Sequence, residues 1–256
     1  MGILNATPNS FYNKGHQSDK SSLLHHAEKM LEDGASILDI GGASTKPGEP
    51  LIDPEVEKGR VIPVIEAIRA EFPDTWISVD TYNSSVARLA LEAGADIIND
   101  ISAGKIDDQM LATVAMCGAP YIAMHIQGTP ETMQVSPSYE NVVADVLHEL
   151  RRAIGRCENA GIEQIIIDPG FGFGKTVAHN YELLSMLGVF ANTGRIVLAG
   201  ISRKSMICKP LRISPENALN GTTALNMVAL MNGADILRVH DVKEAVETVK
   251  LFNLMH

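Results

Sequence analysis

Hydrophobic and polar positions along the chain alternate between two periods. Three segments repeat one pattern: Gly34-Ala35-Ser36-Ile37-Leu38-Asp39, Gly94-Ala95-Asp96-Ile97-Ile98-Asn99 and Gly233-Ala234-Asp235-Ile236-Leu237-Arg238. In each, a glycine able to take left-handed dihedrals ends a helix, and a short apolar run suited to a strand covered on both faces follows. Amphipathic stretches at 22–33, 84–93 and 215–232 precede them. Helix, glycine and buried strand in alternation predict βαβ units and a parallel sheet. The same reasoning predicts strands at 2–5, 76–80, 120–125, 164–168 and 196–202, making eight with the repeats. Eight units in 256 residues is about 32 residues each, the size of a (β/α)8 TIM barrel. No Pro/Ser-rich linker interrupts the pattern, so residues 1–256 read as a single barrel domain.

The last residues of these strands are Asn5, Asp39, Asp80, Asn99, His125, Asp168, Ser202 and Arg238, all polar, although the strand interiors are almost wholly aliphatic. In such barrels the active site is built at the C-terminal ends of the strands. Connections rich in Gly, Pro, Ser, Thr and Asn follow strands one, two and five, at 6–17, 41–53 and 126–138. Connections longer than a tight turn on that face are the usual substrate loops.

Composition narrows the partners. Lys plus Arg total 21 against 31 Asp plus Glu, a formal charge of −10, and the resulting field repels nucleic acid and anionic membranes. No apolar run reaches the length of a membrane span. The opening Met-Gly-Ile-Leu-Asn has neither the basic nor the apolar region of a secretory leader. Cys117, Cys157 and Cys208 are far apart and not in C-x-x-C spacing, which predicts neither a disulfide framework nor a structural zinc and fits a reducing, cytoplasmic setting. No base neighbours them in sequence, so a thiol nucleophile is not expected, and His25-His26 read as a solvated helical pair.

The segment 168–176, Asp-Pro-Gly-Phe-Gly-Phe-Gly-Lys-Thr, misses the phosphate-loop pattern because Pro169 stands at the first glycine site. Its glycines alternate with Phe171 and Phe173, as for a backbone that approaches a flat ligand closely, with Phe173 offering a ring face. Asp80, Asn99 and Asp168 bring two carboxylates and an amide to the mouth. Such a set can ligate a metal, act as acid and base, or accept a planar N–H edge. The amide favours a heterocycle such as a 2-amino-4-oxo-pyrimidine, whose paired N–H groups a carboxylate accepts in two parallel bonds. Ser202-Arg203-Lys204-Ser205 opens a helix after strand seven, an anion or carbonyl site. Alternation places Arg238 and His240 on one side after strand eight, converging on the same space. Cations in the mouth of an acidic protein favour an anionic substrate. Asn5 is a neutral oxygen ligand able to hold a Mg²⁺ whose other ligands are phosphate and water.

In order and spacing these segments resemble the dihydropteroate synthases of the pterin-binding barrel superfamily. The resemblance rests on 1–5, 39–42, 78–81, 98–100, 124–125, 168–176, 202–205 and 238–241. It implies condensation of 6-hydroxymethyl-7,8-dihydropterin diphosphate with 4-aminobenzoate to dihydropteroate in folate biosynthesis, with Mg²⁺ as cofactor. It also implies a homodimer and a sulfonamide target. By resemblance Asp80, Asn99, Asp168 and Lys204 hold the pterin. Asn5, Arg238 and His240 hold the diphosphate, with Mg²⁺ on Asn5. Thr45, Phe173 and Ser205 line the aminobenzoate pocket. Lys204, Arg238, His240 and Asn5 carry the chemistry, in which the C–O bond breaks before the amine attacks.

The chain departs from the family pattern in two loops. Asn9 and Asn13 replace aspartates and Lys14 a glycine in loop one; Ala43 replaces an acid and Lys46 an arginine in loop two; Gln127 stands where a base is common. Lys lacks the bidentate fork of Arg, which leaves a pterin-binding paralogue without full activity as the alternative reading. A methyltetrahydrofolate-using methyltransferase of the superfamily needs no diphosphate site, so the cations at 203–204 and 238–240 weigh against it.

Overall fold

The computed structural model describes residues 1–6, 17–43 and 48–255, and the side chains from residue 21 on within the second of these ranges. Among the described residues, eight parallel strands follow one another in chain order around a single sheet. They are β1 (Gly2–Asn5), β2 (Ile37–Gly41), β3 (Trp76–Asp80), β4 (Ile97–Asp100), β5 (Tyr121–Met124), β6 (Ile165–Asp168), β7 (Ile196–Ala199) and β8 (Ile236–Leu237). The ring closes between its ends. Ile3 N donates to Val239 O at 2.9 Å and Val239 N to Met1 O at 2.9 Å.

Helices α1 (Gln17–Glu32), α2 (Pro54–Glu71), α3 (Ser84–Glu92), α4 (Met110–Cys117), α5 (Val142–Ala160) and α6 (Val177–Ser185) each lead from one strand to the next. Two helices, α7 (Ser205–Leu211) and α8 (Leu219–Met231), lie between β7 and β8, and α9 (Val242–Asn253) follows β8. The single helix expected over 215–232 is divided. Pro215–Asn217 forms a 3-10 turn, and α8 begins only at Leu219. No helix among the described residues is long and apolar enough to cross a membrane.

The three repeated segments behave as their chemistry requires. Gly34, Gly94 and Gly233 take φ of +99°, +107° and +90°, the left-handed turn that ends a helix without a Cβ clash. Two of the repeats carry an Asp that clips the neighbouring strand from below. Asp96 exchanges two bonds with Ile77: its backbone N–H donates to Ile77 O at 2.8 Å, and its Oδ2 accepts from Ile77 N at 2.7 Å. Asp235 does the same with Val197, at 2.9 and 2.8 Å.

Strand parity then sorts the side chains, because successive residues point to opposite faces. Leu38, Ile40, Ile77, Val79, Ile98, Ala123, Ile165, Ile167, Val197 and Ala199 face outward into the core shared with the helices. Ile97, Ile122, Ile166 and Leu198 form a separate aliphatic plug inside the barrel. Two residues further along the same inward face come Asn99, Met124, Asp168 and Gly200, so the mouth rests directly on hydrocarbon.

Several strand ends differ from expectation. β2 runs on to Gly41, which pairs in register with Asn5 and Asp80, so Asp39 is a mid-strand residue. β4 includes Asp100, whose carboxylate is buried and used by Tyr121 Oη, Ser102 and Gly104 N. β5 stops at Met124, β7 at Ala199 and β8 at Leu237. His125, Ser202 and Arg238 therefore stand just past their ladders. After β7 the chain turns, with Lys204 N donating to Ile201 O at 3.1 Å.

Replacing Asp96 with Ala removes the acceptor for Ile77 N and the 2.7 Å ion pair with Arg69. We expect a loss of about 1–3 kcal/mol, read from urea unfolding; a change below about 0.3 kcal/mol would show that water replaces the clip.

Candidate active site

The mouth of the barrel holds an alternation of charges on the aliphatic plug. Arg238, just past β8, donates from Nε to Asp39 Oδ2 at 2.6 Å and from Nη2 to Asp80 Oδ2 at 2.6 Å. Asp39 is fully buried and also receives Asn99 Nδ2 at 3.3 and 3.4 Å. Arg238 thus lies at the level of the acids rather than on a rim above them. The reason is parity: Ile236 points into the barrel, and so does the residue two further on.

Burial dominates the titration of these groups. It pushes the Asp80 carboxyl up, against the pull of Arg238 and with the repulsion of Asp39. It pushes Asp168 up likewise, against Lys204 and the bond from Gly170 N. For Arg238, Asp39 and Asp80 outweigh the desolvation that favours proton loss, and the guanidinium is held charged. Burial lowers Lys204 to about 8, with Asp168 opposing. The cup is therefore close to charge-balanced and poorly hydrated, which makes a polar ligand's own charge matter.

Loop six supplies the wall. Gly170, Gly172 and Gly174 take φ of +71°, +86° and +64°, and a Cβ on Gly170 would sit 1.9 Å from His125 O. Here glycine is obligatory both for the backbone turn and for contact with loop five. The arc exposes carbonyls to two lysines. Lys204 Nζ donates to Phe171 O at 2.6 Å and stands 4.8 Å from the centre of the Phe173 ring. Lys175, buried at 3% exposure, places Nζ 2.9 Å from Gly170 O, Phe173 O and His125 Nδ1. A Cβ built on Gly200 would lie 3.6 Å from Lys204 Nζ, 3.8 Å from Asp168 Oδ2 and 3.9 Å from Arg238 Cβ. The missing side chain at 200 leaves the hollow where these three converge.

Loops seven and eight form the opposite rim. Ser202 Oγ lies 3.0 Å from His240 Nδ1 and accepts from His240 N at 3.2 Å. Arg203, at φ +57°, pairs with Asp241 through Nε and Nη2 and is held by Thr222 Oγ1 at its backbone N. Lys204 is the N-cap residue of α7 and Ser205 its exposed first residue. Desolvation and the cations Arg238 and Arg203 hold His240 down, at about 4.

Asp80, Asn99, Asp168, Phe173, Lys204 and Arg238 thus share one cup, with His240 and Ser205 on its rim. Asn5, exposed at the end of β1, has its Oδ1 beside the Asp80 stem across Gly41. Thr45 lies outside the described residues, as do Asn9, Asn13, Lys14 and Lys46. His125 does not join the cup. It pairs with Lys175 and lines a cavity of about 590 Å³ behind loop five, with Gln127 and Tyr139.

A family model described as pterin binding enzyme matches residues 1–240. The dihydropteroate synthase of Escherichia coli (strain K12) is 46% identical over 253 residues, 98% of this chain and 89% of that relative. The chain is a dihydropteroate synthase family member. Among solved structures, a Yersinia pestis dihydropteroate synthase in a sulfonamide drug complex superposes with a TM-score of 0.93 at 42% identity. It covers 99% of this chain and 92% of that one. A Xanthomonas albilineans dihydropteroate synthase in complex with 7,8-dihydropteroate gives 0.89 at 38%, covering 99% and 92%.

Within the family's cup, three residues were not singled out from sequence. Asp39 had a signal: it occupies the same place in its repeat as Asn99 and Arg238, and it accepts hydrogen bonds from both. Lys175 was masked by its likeness to a phosphate-loop lysine, yet it serves the loop's own carbonyls. Ser202 was read only as a strand exit and as one hydroxyl of the 202–205 anion site, without a role of its own. Of the departures, Ala43 packs on the apolar cluster of Tyr82, Met124 and Phe173. Gln127 bonds both backbone groups of Ser138, at 2.9 and 3.2 Å.

Asp39→Ala leaves Arg238 with one carboxylate partner in a buried site. The expected cost is about 3–5 kcal/mol, measured by denaturant unfolding, whereas a cost under about 1 kcal/mol would mean that Asp80 alone suffices.

Proposed function

We propose that this cup carries out the dihydropteroate synthase reaction with the following division of labour. Asp168 and Asn99 accept and donate along the edge of the pterin ring, with Asp80 beside them and Lys204 at its carbonyl side. The carbonyl-bound ammonium of Lys204 over Phe173 forms one wall of that slot, and this single contact carries the reading: it joins the glycine loop to the cation after β7. Arg238, whose Nη1 has no bond among the described residues, and His240 meet the diphosphate. Phe173 and Ser205 border the aminobenzoate, and Thr45 is assigned there by resemblance.

Positive charge around the leaving group favours departure before attack. The C–O bond of the pterin diphosphate breaks with its electron pair leaving on diphosphate, and the resulting pterin methyl cation is stabilised by the ring. The amine nitrogen of 4-aminobenzoate then forms the C–N bond and releases its proton to solvent. Fixed donors aimed at developing charge are the largest source of such assistance.

Mg²⁺ fits the donor set in a limited way. Among the described residues no group of three or more His, Cys, Asp or Glu is arranged to hold a metal ion. Asn5 offers one hard oxygen at the open mouth, which suits an ion that keeps its waters and takes the rest of its ligands from phosphate. When bound, Mg²⁺ would neutralise charge on the departing diphosphate. We also place the enzyme in the cytoplasm and as a homodimer. The exposed Leu211, Leu219, Val228 and Met231 around α7 and α8 support the latter. A non-catalytic paralogue is not favoured, since the curated synthase shares 46% identity across nearly the whole chain.

Purified protein given pterin diphosphate, 4-aminobenzoate and Mg²⁺ should release diphosphate and form dihydropteroate. Release no faster than from Lys204→Ala would refute the assignment. Because Lys204 carries its charge below about 8 and loses it above, kcat/KM for the pterin diphosphate should fall on an alkaline limb near that value. Lys204→Arg should move the limb upward, and an unmoved limb would assign it elsewhere. Asp168→Asn should weaken pterin binding by about 1.5–3 kcal/mol, measured by calorimetry; unchanged binding would remove Asp168 from the slot.

A further inference from the structure

Ser202 is buried at 3% exposure, and among the described residues its hydroxyl bonds to no group assigned to the pterin or the amine. Its hydroxyl has two neighbours among the described residues, both on His240: the backbone N–H at 3.2 Å and ring Nδ1 at 3.0 Å. The backbone contact is fixed in sense, because N–H can only donate, so Ser202 Oγ is an acceptor there. The ring contact has two possible senses. Were Nδ1 protonated, Oγ would accept twice and its own hydrogen would have no acceptor among the described residues, a costly state for a buried hydroxyl. With Nδ1 bare, Oγ–H donates to it and every group is satisfied. The hydrogen of the ring then resides on Nε2, the nitrogen on the opposite edge of the imidazole, and the residue is exposed.

We propose that Ser202 is a positioning residue that holds His240 in its Nε2–H form and so aims an N–H donor at the leaving diphosphate. The role rests on the reading of the site given above; the hydrogen-bond sense does not. A neutral donor has a purpose beside Arg238 and Lys204. It binds an anionic oxygen without adding a further cation to a rim that already repels one. The low His240 pKa, set by desolvation and then by Arg238 and Arg203, agrees with a ring that stays neutral. His125 Nδ1 is likewise engaged, by Lys175, so the two histidines differ in which side chain faces their Nδ1.

The test begins with the ligand-free protein. Long-range ¹H–¹⁵N spectra of the ¹⁵N-histidine-labelled chain, with His240→Gln supplying the assignment, should show the Nε2–H pattern for His240. In Ser202→Ala that pattern should give way to a mixture of tautomers, and in Ser202→Thr it should persist. Calorimetry should show Ser202→Ala weakening the dihydropterin diphosphate roughly fivefold to twentyfold with free hydroxymethyldihydropterin unchanged, and Ser202→Thr restoring it. If Ser202→Ala does not fold, Ser202→Cys, a poor donor of similar size, is read in the same way. An Nδ1–H ring in the native protein, or equal losses for the two ligands, overturns the proposal. An Nε2–H ring in a protein that binds no pterin diphosphate keeps the hydrogen bond but overturns the role, and locates the failure in the functional reading.

Discussion

A guanidinium held between two carboxylates on a floor of isoleucine and leucine is the constraint on which the site depends. Arg238 cannot leave Asp39 and Asp80 without exposing buried charge on both sides, and neither acid can be lost without stranding the other partners. The three come from β2, β3 and the end of β8; β2 and β3 pair directly, but the end of β8 reaches them only because the barrel closes. Closure and charge pairing therefore support each other. The backbone bonds from Ile3 to Val239 and from Val239 to Met1 set Arg238 beside Asp39, and the ion pairs resist opening of the same seam.

The aliphatic plug beneath gives these charges their consequence. Ile97, Ile122, Ile166 and Leu198 shut water out from below, so the carboxyls of Asp80 and Asp168 are raised and the ammonium of Lys204 is lowered. A ligand presenting N–H groups to the acids and an anion to the cations restores the hydrogen bonding that burial removed. In the proposed reading, that layering is what selects a flat, edge-donating ring with an anionic tail. Loop six adds shape: its glycines let the backbone press against His125 while turning consecutive carbonyls toward Lys175 and Lys204.

The two histidines near the mouth illustrate how a shared residue type is divided between tasks. His125 is buried against Lys175 and belongs to the scaffold of loop six. His240 is exposed, tied through Nδ1 to a buried serine, and belongs to the rim. Their positions relative to the strand ends, one residue after β5 and three after β8, would not by themselves separate these roles.

Local chemistry determined much of this protein without reference to any contact. An amphipathic stretch, a glycine and an aliphatic run repeated three times require helices and buried strands in alternation, and with five further aliphatic runs they make the eight units of a barrel. Polar residues at the strand exits identify which face carries chemistry. What only the tertiary structure decided is pairing across the ring. That Asp39 is mid-strand and grips Arg238, that Lys175 serves carbonyls rather than a ligand, and that Ser202 meets His240 depend on distances between residues far apart in the chain. Parity and periodicity are properties of neighbours in sequence and specify which way a side chain points. The curvature that brings opposite strands together is a property of all eight at once, and it alone settles what each side chain meets.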